Sequence, residues 1–138
     1  MKKLYDEGKK AFGFYCGKGE WFLLTLKNID IMSQMLPNVS KASQSLDVSV
    51  LHTLILEKIF GIDKENMAKQ INLTYTKFFT EAIDGVDKGE FQCSFVLNPT
   101  RVTEIRDVAA AGEKMPQKST YFYPKMITGM VMNNLGVD

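Results

Sequence analysis

The sequence predicts an α+β domain, a mixed sheet with helices mainly on one face and a β-hairpin at its N-terminal end. Three observations carry that prediction. Two apolar-aromatic runs flank a glycine turn near the start. Segments with helical spacing and capping residues fill the middle. Between two of these, Phe91, Cys93, Phe95 and Leu97 alternate with Gln92, Ser94 and Val96, the mark of a strand with one buried face.

Residues 1–10 are polar and read as frayed or helical. Ala11 to Cys16 and Trp21 to Leu26 surround Gly17-Lys18-Gly19-Glu20 and read as the hairpin. Lys27 to Leu36 suits a short helix stopped by Pro37, and Asn38 to Ser45, rich in Ser and Asn, reads as a surface loop. Asp47 then opens the clearest helix. Its carboxylate suits an N-cap, with Leu46 and Leu51 at the staple positions. Val48, Leu51, Leu54, Ile55 and Ile59 share one face of that helix, Ser49, Thr53 and Glu57 the other, and Gly61 stops it. Asp63 repeats the device, with Ile62 and Met67 as staple, for a short helix to about Gln70. Ile71 to Tyr75 alternates as a strand. Phe78, Phe79, Ala82, Ile83 and Val86 have helical spacing that ends near Gly85 or Gly89. After the strand at 91–97, Asn98 reads as a cap and Pro99 as the first helical turn. Val102, Ile105, Val108 and Ala109 give that helix its apolar side, and Gly112 ends it. Thr120 to Tyr123 and Ile127 to Met132 read as closing extended segments.

A chain of 138 residues suits one domain and can bury a proper core. Its net charge of +1 gives no basic field to draw nucleic acid or an acidic membrane. No apolar run reaches the roughly 18 residues a membrane helix needs, and Met1 to Asp6 lacks a signal-peptide stretch. A cytoplasmic location is the expectation. Cys16 and Cys93 form no paired metal spacing, and they read as small buried hydrophobes rather than a disulfide.

The chemistry concentrates in Gly112-Glu113-Lys114-Met115-Pro116-Gln117-Lys118-Ser119-Thr120-Tyr121-Phe122-Tyr123-Pro124-Lys125. Its first eight residues approach the phosphate-loop pattern, but Gln117 replaces the second glycine, and the stretch joins helix to strand rather than strand to helix. The ordinary phosphate loop is therefore excluded. Lys118, Lys125, Ser119 and Thr120 still suit an anion, through ammonium charge and hydroxyl donors. Arg101, in a helix's first turn close to Thr100, is within reach of an anion at that N-terminus, although a solvated helix side is the plainer reading for it. The plainer reading has Tyr121, Phe122 and Tyr123 as sheet packing and the lysines solvated. His52, the sole histidine, reads as a buried hydrogen-bonded residue, with a catalytic base as the sharper alternative. Asp84, Asp87 and Glu90 lack the order of a calcium loop, and no metal site is expected. Met126, Met130 and Met132 alternate as a packing or contact strand.

Asp47-Val48-Ser49-Val50-Leu51-His52, Ile55-Leu56-Glu57, Gly61-Ile62, Asn98-Pro99-Thr100 and above all Gly112 to Lys125 resemble the second half of the domain-of-unknown-function family one-thousand-and-fifteen. The resemblance implies a fragment or truncated member of a longer architecture, acting as a single domain over residues 1–138. The first half of complete members is similar to the ParB and sulfiredoxin superfamily, some of which phosphorylate small molecules with ATP or ADP. What this implies is an anion-, phosphate- or nucleotide-binding domain of a kinase-like family, with ATP or ADP and Mg as the full-length cofactors. Lys118, Ser119, Thr120, Lys125, Arg101 and His52 are its candidate ligand-binding residues, and a phosphorylated small molecule or nucleotide its partner. The alternative is a non-catalytic packing or oligomerisation module, in contact with the missing N-terminal half or with a second copy.

Overall fold

A computed structural model describes residues 2–121. Phe122, Tyr123, Lys125, Met126, Met130, Met132 and the closing extended segments beyond Tyr121 lie outside the described residues. The fold is α+β with an N-terminal hairpin. Helix α1 (Lys2–Asp6) leads into strands β1 (Ala11–Tyr15) and β2 (Trp21–Thr25), paired antiparallel from Ala11 opposite Thr25 to Tyr15 opposite Trp21. Gly17, Lys18 and Gly19 turn the hairpin, all with positive φ. Strand β3 (Ser94–Val96) pairs antiparallel with β1, so the sheet runs β2-β1-β3.

Along each strand, side chains alternate between the sheet's faces. Phe12 enters the main core with Met32, Val50, Leu51, Leu56 and Met67. These come from α2 (Ile31–Met35), α4 (Asp47–Val50), its π-helical continuation (Leu51–Glu57) and α5 (Lys64–Lys69). Tyr15, on the other face, meets α6 (Phe79–Asp87), donating its hydroxyl to Asp87 at 2.6 Å. A second cluster joins Leu46 and Val48 to Val108 of α7 (Val102–Ala110), against which α3 (Lys41–Gln44) also packs. Among the described residues, no helix is long and apolar enough to cross a membrane.

Several expectations need correction. The polar stretch 38–45 is not a loop throughout but contains α3. Ser40 caps it, its hydroxyl accepting from the Ser43 N–H at 3.2 Å. Serines there serve as caps rather than linkers. Asp47 is not an N-cap. Leu46 holds that position, and Asp47 is the first helical residue, with its carboxylate turned to Lys10. Of the face assigned to this helix, Val48 and Leu51 are buried and Leu54 and Ile55 pack against the core, but the helix is not two-sided, and from Leu51 the chain widens to i→i+5 bonding. Ser49 and Thr53, expected outside, are buried, whereas Ile59, expected inside, is 74% exposed. Leu46 and Leu51 feed separate clusters instead of stapling each other. Asp63, by contrast, caps α5 by accepting from the Asn66 N–H at 2.8 Å, and both Ile62 and Met67 join the main core.

Ile71 to Tyr75 forms no strand. The N–H groups of Ile71 and Asn72 bond back to Asn66, which leaves no ladder partner for them. The strand expected over 91–97 shrinks to three residues, since Glu90 and Phe91 donate to the Gly85 carbonyl and wrap the end of α6. Asn98 does not cap α7, which starts three residues after Pro99. The Asn98 amide instead donates to the Ala11 carbonyl and to Asp47, both at 3.3 Å.

Candidate functional site

Glycine ends α7 as expected, with Gly112 at φ 73°. The next residue, Glu113, then turns back across α3. Its carboxylate accepts from the Ser40 N–H and hydroxyl, each at 2.7 Å, and from the Ser43 hydroxyl. These donors, Ser43 first and Ser40 next, hold the Glu113 carboxyl below the usual carboxylate range. Glu113, Lys114 and Pro116 line a cavity of about 420 Å³ together with Leu36, Val39, Ser43 and Ser49.

Past that cavity comes the lysine and hydroxyl corner. Lys118 is exposed, at φ 59° in a left-handed turn, and among the described residues it has no ion pair. The half-buried Ser119 donates its hydroxyl to the Pro116 carbonyl at 2.6 Å, closing the turn on itself. Thr100 donates its hydroxyl to the Ser119 carbonyl at 3.0 Å and so brings the start of α7 beside the turn. Thr120 is half-buried. Tyr121 accepts a hydrogen bond from Lys77 at 2.8 Å, and the same ammonium lies 4.0 Å from its ring centre. Lys125 falls outside the described residues.

Arg101 sits near this corner but faces another way. It pairs with Asp6 at 2.8 Å and stacks 4.1 Å over the Tyr5 ring. The first turn of α7 is closed by its own Glu104, which accepts from the Arg101 N–H at 2.8 Å. His52 is elsewhere, on the π-helix. Its Nε2 lies 3.5 Å from the Tyr75 hydroxyl, and burial lowers its pKa, favouring the neutral ring. The structure thus gathers Lys118, Ser119, Thr120 and the start of α7, and leaves His52 apart.

Three features had no counterpart in the sequence reading. The first is a polar network at the base of β1. Lys10 lies 3.0 Å from Asp47 and 3.7 Å from Glu104, while Tyr5 donates to Glu104 at 2.8 Å. Burial, reinforced by Glu104, pushes the Tyr5 hydroxyl far above its usual pKa. These residues come from four separate segments, so spacing gives no signal for the group. The second is a cavity of about 600 Å³ between the hairpin turn and Val86 to Gly89.

The third is an apolar surface along β2. Trp21, Phe22 and Leu23 are all exposed on consecutive positions, and Phe79 stacks on Trp21 with centroids 5.8 Å apart and planes 8° from parallel. Phe79 is itself 58% exposed and Phe78 beside it is also open. Unbroken apolar character in Trp21 to Leu24 is the one signal in the sequence for this surface, and it reads equally as a buried strand. Among the described residues, no group of three His, Cys, Asp or Glu is placed to hold a metal ion. No family model, curated protein or solved structure matches the chain.

Proposed function

We propose that this chain is a self-associating interaction module whose contact surface is the outer edge of β2 with the aromatic group beside it. The observation that carries this is the state of β2. It is an edge strand among the described residues, none of Trp21 to Thr25 is charged, and Leu23 at its centre is 51% exposed. Edge strands are ordinarily blunted by charge, proline or a covering element, because their free N–H and C=O groups template further pairing. A second copy fits this edge by antiparallel pairing about a two-fold axis, the closed and self-complementary arrangement. That pairing brings the Glu20 end of one strand to the Lys27 end of the other, so opposite charges meet at both ends.

Sedimentation equilibrium across a concentration series tests the proposal. Reversible dimers are expected, and Leu23→Lys, which sets two ammonium groups near the two-fold axis, is expected to give monomers with an unchanged circular dichroism spectrum. A chain monomeric at every concentration into the hundred-micromolar range refutes it.

A second reading, an anion- or nucleotide-binding domain of a small-molecule kinase-like family, is favoured by the exposed Lys118 two residues before the half-buried Thr120 and by the resemblance of residues 112–125. Phosphate, phosphoserine or ADP at a hundred times its Kd stabilises the fold by about 2.7 kcal/mol. Lys118→Ala should remove that shift, and the absence of any shift rejects the reading.

A further inference from the structure

We propose that Cys16 and Cys93 form a reversible disulfide site, closed by exchange with a low-molecular-weight disulfide. The β1–β3 ladder runs Gly13 to Val96, Phe14 to Phe95 and Tyr15 to Ser94, and the same register extended by one position places Cys16 across from Cys93. Residues directly opposite in antiparallel strands point to the same face. Here that face is the one on which Phe14 stacks on Phe95 at 4.9 Å.

The rung is of the closer kind. Cys16 donates its N–H to the Glu20 carbonyl at 3.2 Å, on the β2 side. Toward β3 it therefore occupies a non-hydrogen-bonded position, where opposite Cα atoms approach to about 4.5 Å. A disulfide needs Cα atoms about 4.4–6.8 Å apart and Cβ atoms about 3.8 Å apart. Both cysteines lie one residue past the last paired rung, next to Gly17 on one side and the wrap around α6 on the other. Backbone outside a ladder is free to adjust toward that spacing.

The two thiols differ in access. Cys16 is exposed and lines the cavity of about 600 Å³ at the hairpin turn, whereas Cys93 is half-buried. Burial raises the Cys93 thiol above its usual pKa, and the neighbouring Cys16 adds to that rise, as charges close together do. Cys16 is thus the first attacker and Cys93 the resolving thiol. Cys16, as thiolate, forms a bond to one sulfur of the small disulfide and expels a small thiolate, which takes up a proton. Cys93 then loses its proton, attacks the Cys16 sulfur and expels the second small thiol. Two protein thiols are oxidised to one disulfide, and one small disulfide is reduced to two thiols.

The test treats the full chain with oxidised glutathione and follows intact mass, then maps peptides without reduction. The expected product has lost two hydrogens, keeps no glutathione, yields a Cys16–Cys93 cross-linked peptide and reverts with dithiothreitol. Because the bond closes a long loop, the melting temperature should rise by on the order of 10 °C. Cys93→Ser should stop with one glutathione held on Cys16. Glutathione retained on the parent protein, or cross-links found only between chains, overturns the proposal. The peptide map of the parent decides the question even if the variant fails to fold.

Discussion

Lys10→Met is the substitution whose consequence follows most directly from the geometry. The Lys10 ammonium lies 3.0 Å from the Asp47 carboxylate, with side chains 14% and 8% exposed, and 3.7 Å from Glu104. At an effective dielectric constant of about 20, a pair at that distance attracts by about 5.5 kcal/mol, most of which repays desolvation. Met keeps the length and apolar stem of Lys10 but removes the charge. Asp47 is then left with the Asn98 amide at 3.3 Å, and a buried carboxylate that loses its cation costs about 3–5 kcal/mol. Urea denaturation reads this as a lower midpoint with an unchanged slope. Asp47→Asn in the same chain removes the stranded charge, so the double variant should recover about half of the loss or more. A Lys10→Met chain within about 0.5 kcal/mol of the parent, the range of ordinary surface substitutions, refutes the reasoning. So does a double variant whose losses simply add.

Glu113 titrates low in the fold, so its stabilising effect is present above the unfolded carboxylate pKa of about 4.3 and is lost as pH falls through the folded value. Thermal melts between pH 2 and 7 should show Glu113→Gln less stable near neutrality and lacking that acid-side decline. His52 is also depressed, by burial. Below about pH 6.5 the unfolded chain binds a proton that the fold refuses, so stability falls as pH drops toward the folded value and then levels. His52→Gln should remove this slope, and equal slopes in the two proteins would count against a buried neutral ring. A Cβ at Gly85 would sit 2.7 Å and 2.8 Å from the Phe91 ring. Gly85→Ala therefore forces that ring aside, and it should cost about 1 kcal/mol less in a Phe91→Ala background than in the parent, as judged by urea midpoints.

The hairpin was legible because its information is local. Glycines at a turn and apolar runs on both sides need no distant partner. The same holds for the Asp63 cap of α5 and for Gly112 at the end of α7. The misreadings arise where another partner, near or distant in the chain, takes up the group that the local pattern had assigned. Asp47 has the side chain of a cap, but Lys10 and Asn98 draw its carboxylate inward. Ile71 to Tyr75 alternates like a strand, yet Asn66 takes its first N–H groups. At the lysine corner, residue types suggested hydroxyls and guanidinium aimed at an anion. The Ser119 hydroxyl went to Pro116 within its own turn, and Arg101 went to Asp6, which the fold brings within reach.

By itself, the sequence determined the α+β class, the hairpin, the main helix positions and the crowding of lysines and hydroxyls into one stretch. Each depends on periodicity, caps or turn residues within a few positions of each other. Only the tertiary structure decided the π-helical register after Val50, the joining of Lys10 to Asp47 and Glu104, the exposed edge of β2 and the β1–β3 register that carries Cys16 toward Cys93. Those outcomes depend on strand order and helix packing, which bring together groups that no local pattern in the chain relates.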